Sequence, residues 1–155
     1  MKINKINFSH NSITNKDISS VSKVLKSGWL THGKYTELFE KEFSKFVNSR
    51  FAVTVSSCTA GLHLSCLALN IKKGDEVILP AMSHTATSHA IEYTGAKPIF
   101  VDVERISGNI DVNLIEKKIT KKTKALIIVH MAGFACDMDK IQKLCQKHKL
   151  KLIED

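Results

Sequence analysis

The sequence predicts an α/β domain, three layers deep, with a mostly parallel sheet covered by helices on both faces. Two observations carry this: from residue 51 onward short apolar runs alternate with helical patterns, and turns with glycine punctuate them. A third is size, since 155 residues are about one domain's worth and enough to bury a single core.

Residues 1–15 are polar and irregular and read as an N-terminal arm, with residues 16–155 as the folded domain. Thr14 or Asn15 can cap a helix through about Lys26, on which Ile18, Val21, Val24 and Leu25 recur at helical spacing. Ser27-Gly28 stops it. Leu38, Phe39, Phe43 and Phe46 make one stripe on a second helix, Tyr35 to Val47. Phe51 to Ser56 reads as a buried strand, and Thr59 to Leu69 as the helix that follows. After the turn Lys73-Gly74-Asp75 comes a strand, Glu76 to Leu79, ended by Pro80. A helix over Thr85 to Tyr93, a turn at Thr94-Gly95 and a strand over Lys97 to Val103 continue the alternation. Asp111 caps a helix to about Ile119, Lys124 to His130 is a strand, Asp137 to His148 a helix, and Leu150 to Glu154 a fifth strand.

Composition narrows the functional classes. Hydrophobic content of 43%, with two prolines and seven glycines, argues against disorder. No apolar run is long enough to span a bilayer. Met1-Lys2-Ile3-Asn4-Lys5 is a positive start without an apolar core behind it, so no signal peptide is expected. The expected location is therefore cytoplasmic, with Cys58, Cys66, Cys136 and Cys145 as free thiols. The net charge of +8 comes mainly from lysines, dense in 117–124 and 140–151. These runs lack interleaved aromatics and a recognition helix, so they read as solvated faces rather than a nucleic-acid surface. A funnel for an anionic substrate is the alternative.

Ligands of parallel sheets bind at the carboxyl ends of the strands, which directs attention to residues 56–60, 80–84, 102–105, 130–133 and Asp155. Ser56-Ser57-Cys58-Thr59-Ala60-Gly61-Leu62 lies between a strand and a helix, where small residues and free N–H groups suit a phosphate. It lacks the glycines and lysine of a Walker loop, and an ordinary helix cap is the competing reading. Cys58 at a helix start invites a nucleophile reading, but no partner base is near in sequence. Cys58, His63 and Cys66 lack the paired spacing of a metal site, so no metal is expected. His84 is placed to stack on a flat ligand, His89 to pack or face solvent, and His130 to be a satisfied histidine near the cleft. Asp155 can pair with a ring nitrogen or cap a following helix.

Taken in order, several stretches resemble the DegT/DnrJ/StrS family of sugar aminotransferases. They are Ser27-Gly28-Trp29-Leu30-Thr31-His32-Gly33, Phe39 to Phe43, Ser56 to Leu62, Gly74 to Pro80, Tyr93 to Val103, Thr120 to Lys124, Val129-His130, Asp137-Met138-Asp139 and Ile153-Glu154-Asp155. The resemblance covers residues 15–155 and implies part of the large domain of the aspartate-aminotransferase fold, pyridoxal-phosphate fold type I. It implies pyridoxal 5'-phosphate as cofactor, an amino donor (usually glutamate), a nucleotide-linked ketosugar as acceptor, and a homodimer. By the same resemblance Ser57, Cys58, Thr59 and Ala60 hold the phosphate, His84 stacks on the pyridine ring, and Asp155 pairs with its nitrogen. Two positions depart from the family pattern: Cys58 replaces the common Gly and His84 the common Phe. Family members carry a Schiff-base lysine beyond the Glu-Asp pair, so the expectation is a piece lacking that lysine and inactive in transamination by itself. A non-catalytic truncated domain and a dehydrase relative with histidine in the lysine's place are the alternatives.

Overall fold

The computed structural model describes residues 11–155, so most of the expected arm lies outside the described residues. Internal contacts divide the chain after Thr54.

The first unit carries α1 (Asn15–Lys26) and α2 (Lys34–Phe46). Thr14 caps α1 through a reciprocal box. Its Oγ1 accepts from the Asp17 N–H at 3.4 Å, and Asp17 Oδ2 accepts from the Thr14 N–H at 2.8 Å. Gly28, at φ +72°, lets the chain leave α1 in a left-handed turn that other residues resist. The apolar stripes fall where the periodicity put them, yet no residue of either helix is buried. Ile18, Leu25, Leu38 and Phe39 are all more than half exposed.

Residues 51–56 correct one expectation: the segment contains no strand. Phe51 and Val53 are 73% and 77% exposed, and no described strand pairs with this backbone. Thr54 is tied locally instead, its N–H and Oγ1 donating to Glu40 Oε1 at 2.8 and 2.7 Å.

The second unit is built on β1 (Glu76–Pro80), β2 (Lys97–Val101), β3 (Thr123–Ile128) and β4 (Lys151–Glu154). They pair in parallel in the order β2-β1-β3-β4, giving four strands where five were expected. Around them lie α3 (Cys58–Ala68), α4 (Thr85–Glu92), α5 (Val112–Ile115) and α6 (Met138–His148). The helix expected to reach Ile119 is shorter, because its second half tightens into a 3-10 turn at Glu116–Lys118. Val103 has left the sheet and bridges Ile110 in antiparallel fashion, which shortens β2.

Side chains alternate across the strands and build two cores. On one face Val77, Leu79, Ala125, Ile127 and Ile153 meet Leu62 and Cys66 of α3 and Ala90 and Ile91 of α4. On the other Ile78, Val101, Leu126 and Ile128 meet Val112 and Ile115 of α5 and Ile141 and Cys145 of α6. The inner strands β1 and β3 are buried on both sides, so their sequences read as near-continuous apolar runs, whereas the edge strands β2 and β4 expose Lys97, Phe100, Lys151 and Glu154. The three layers expected from the sequence are present. The helices following β1 and β3 therefore leave to opposite faces, and such a divergence opens a crevice at the carboxyl ends of the strands. Among the described residues no helix is long and apolar enough to cross a membrane.

Candidate functional site

At that carboxyl edge a cavity of about 270 Å³ is lined by Cys58, Thr59, Leu62, His84, Ala86, Thr87 and Asp155. Three elements deliver these residues: the first turn of α3, the β1–α4 junction and the end of β4. A larger hollow of about 610 Å³ in the first unit is mostly apolar and holds no carboxylate, so the chemistry concentrates in the smaller one.

Asp155 is fixed by the sheet. Its N–H donates to the Ile128 carbonyl at 2.8 Å, and its own carbonyl accepts from the His130 N–H at 3.1 Å, extending the β3–β4 ladder by a residue. The side chain is held on both oxygens. Thr87 Oγ1 donates to Oδ2 at 2.7 Å, and the Cys58 thiol donates to Oδ1 at 3.4 Å. Thr87 in turn is 2.7 Å from Ser83 Oγ.

At the start of α3, Ser57 is the cap. Its Oγ accepts from the Ala60 N–H at 3.1 Å, and its carbonyl accepts from the Gly61 N–H. The N–H groups of Cys58 and Thr59 precede the first turn of the ladder and have no partner among the described residues. A helix start with two open N–H groups and the positive end of a macrodipole favours an anion. The cap reading thus holds for the Ala60 N–H, while the Cys58 and Thr59 N–H groups stay open.

Cys58 is not a poised nucleophile. A helix start lowers a thiol's pKa, but here the hydrogen bond to Asp155, then burial, then the carboxylate's charge push the thiol up. It stays protonated and acts as a donor. His84 caps α4: its Nδ1 accepts the Ala86 N–H at 3.1 Å, which puts the proton of the neutral ring on Nε2 and fixes the ring at the cavity wall.

Of the six residues singled out by sequence, Cys58, Thr59, His84 and Asp155 line one cavity. Ser57 and Ala60 stand beside it, occupied with each other in the cap. His130 is satisfied as expected, with Nδ1 accepting from the Cys136 N–H and Nε2 at 3.1 Å from Glu154. His63 and His89 pack against Tyr93, and no described group of residues has the makings of a metal site. All four cysteines are free. Sequence reasoning missed Thr87, which is fully buried and reaches the carboxylate. The available signal was its spacing, three residues after His84 and so on the same side of the first turn of α4.

GDP-perosamine synthase of Escherichia coli O157:H7 is 44% identical over 145 residues, which are 93% of this chain and 40% of that protein. The aminotransferase from Psychrobacter cryohalolentis superposes with a TM-score of 0.89 at 38% identity, over 93% of this chain and 37% of that one. NtdA from Bacillus subtilis, solved with the bound cofactor PMP, gives 0.86 at 38% identity, over 92% and 34%. The chain thus spans about two fifths of the length of such relatives. The family model for DegT/DnrJ/EryC1/StrS aminotransferases matches residues 11–155, and the chain belongs to that family.

Proposed function

We propose that this chain supplies the phosphate and ring-nitrogen contacts of a pyridoxal-phosphate-dependent sugar aminotransferase. One observation carries the reading: a carboxylate held on both oxygens faces a cavity that also receives the open start of α3. These residues fit the cofactor. The Cys58 and Thr59 N–H groups suit its phosphate, the His84 ring offers a flat wall, and Asp155 accepts from a protonated ring nitrogen. When bound, the cofactor supplies the electron sink for amino transfer. The protein's part is to orient it and to keep a negative charge beside its nitrogen.

In the whole enzyme the amino group passes from glutamate to a nucleotide-linked ketosugar, in polysaccharide or glycoside synthesis. The net charge of +8 suits an anionic acceptor. Among the described residues no lysine lines the cavity, and by the family resemblance the Schiff-base lysine belongs to the part of the relatives' length that this chain does not span. Residues 16–155 then belong to the cofactor-binding large domain of a cytoplasmic homodimer. The exposed stripes of α1 and α2 are apolar faces such a dimer can cover.

Binding of pyridoxamine 5'-phosphate to the purified chain tests the cofactor reading, followed by difference absorbance. Saturable binding that Asp155→Ala weakens supports it, and binding indifferent to that change refutes it. Offering glutamate and nucleotide-linked ketosugars to the loaded enzyme tests the substrates, and amine transfer to a free sugar alone would contradict that part.

A further inference from the structure

We propose that Ser83 and Thr87 form a two-hydroxyl relay that positions Asp155, anchoring Oδ2 so that Oδ1 is the oxygen presented to the cofactor's ring nitrogen. The inference rests on the cofactor reading and assigns roles to two residues to which the resemblance gave none.

Thr87 is fully buried, and its Oγ1 lies 2.7 Å from Asp155 Oδ2 and 2.7 Å from Ser83 Oγ. An ionised carboxylate only accepts, and a hydroxyl has a single proton. Thr87 therefore gives its proton to Asp155, and the contact with Ser83 is possible only with Ser83 as donor. The direction of the chain is thereby fixed: Ser83 to Thr87 to Asp155. Each donor polarises the next, so the last bond, to the charged oxygen, is the strong one. Thr87 is also β-branched and sits in the first turn of α4, which leaves its hydroxyl few other orientations.

The two oxygens are held unequally. Oδ2 receives a short O–H bond from a buried residue, whereas Oδ1 receives only a thiol at 3.4 Å from an exposed one. A thiol is a weak donor. A charged ring N–H displaces it readily from Oδ1 but cannot displace the buried hydroxyl from Oδ2. Thr87 and Ser83 are thus positioning residues, and Cys58 is a placeholder on the working oxygen.

The experiment compares two ligands on the whole chain by calorimetry: pyridoxamine 5'-phosphate and its analogue with C–H in place of the ring nitrogen. The wild type prefers the first. Thr87→Val reduces that preference about tenfold, the low end for a hydrogen bond to a charged group, and leaves the analogue's affinity within about twofold. Thr87→Ser restores it, and Ser83→Ala lowers it by a smaller factor. Equal losses for both ligands would mean a merely structural role, and a preference unchanged in Thr87→Val and Ser83→Ala would overturn the relay. If Thr87→Val loses its circular dichroism, Ser83→Ala decides alone. A wild type without any preference is a different result, which overturns the cofactor reading and with it the purpose of the relay.

Discussion

Ile78→Ala strikes the point where the scaffold of the site is most tightly packed. Ile78 is fully buried on the central strand β1, between Ile99 of β2 and Leu126 of β3 in register, and belongs to the core against α5 and α6. The change removes three carbon groups, about 2.4 kcal/mol of transfer free energy at about 0.8 kcal/mol each. A site flanked by two paired strands cannot collapse, so a cavity term of about 1 kcal/mol adds to this, for a total of about 3.4 kcal/mol. With a urea dependence of about 2 kcal/mol per molar, the unfolding midpoint falls by about 1.7 M. Far-ultraviolet circular dichroism is the appropriate signal, because the single tryptophan, Trp29, belongs to the first unit and not to the sheet. Ile106→Ala, at a fully exposed position, is the control and shifts stability by less than about 0.5 kcal/mol. A shift for Ile78→Ala no larger than the control's would refute the packing argument.

Two further expectations follow from the hydrogen bonds of ionisable groups. Asp155→Asn removes both the strong acceptor and the charge that push the Cys58 thiol up, so iodoacetamide should modify Cys58 faster at neutral pH. An unchanged rate would contradict the Cys58–Asp155 bond, and the buried Cys66, Cys136 and Cys145 provide the slow background. Asp17, Glu40, Glu116 and Asp137 are held below the usual carboxylate range, chiefly by bonds from Thr14, Thr54, Lys147 and Lys140 respectively. A depressed native pKa means that the folded state binds fewer protons, so this stabilisation is present above the ordinary carboxylate pKa and disappears as pH falls through the depressed values. The urea midpoint should therefore decline below about pH 4, and a midpoint rising with acid would show the sign to be wrong.

Much of the second unit was legible because its inner strands β1 and β3 are buried on both faces and its turns carry Gly74 and Gly95 at positive φ. The capping residues Thr14, Ser57, Asp111 and Asp137 also sit where the helix starts were expected. The segment 51–56 misled for a physical reason. Phe51, Val53 and Val55 have the chemistry of a strand, but a strand exists only by pairing, which no local pattern encodes. In the site, Cys58, Thr59, His84 and Asp155 were reachable from one rule, that loops at the carboxyl ends of parallel strands converge. Thr87 was not, because Thr85-Ala86-Thr87-Ser88 offers three hydroxyls and only the arrival of Asp155, just past β4, at Thr87 selects one of them. The Ala60 N–H likewise reads as open in sequence and proves taken by Ser57 in the fold.

The most direct test of the central claim is the affinity of the chain for pyridoxamine 5'-phosphate, measured in the wild type and in Asp155→Ala under identical buffer conditions. The account predicts stoichiometric, saturable binding in the wild type and at least about a tenfold loss in the variant, the size of a lost charge-assisted bond. A wild type that does not bind, or a variant that binds equally well, would contradict it.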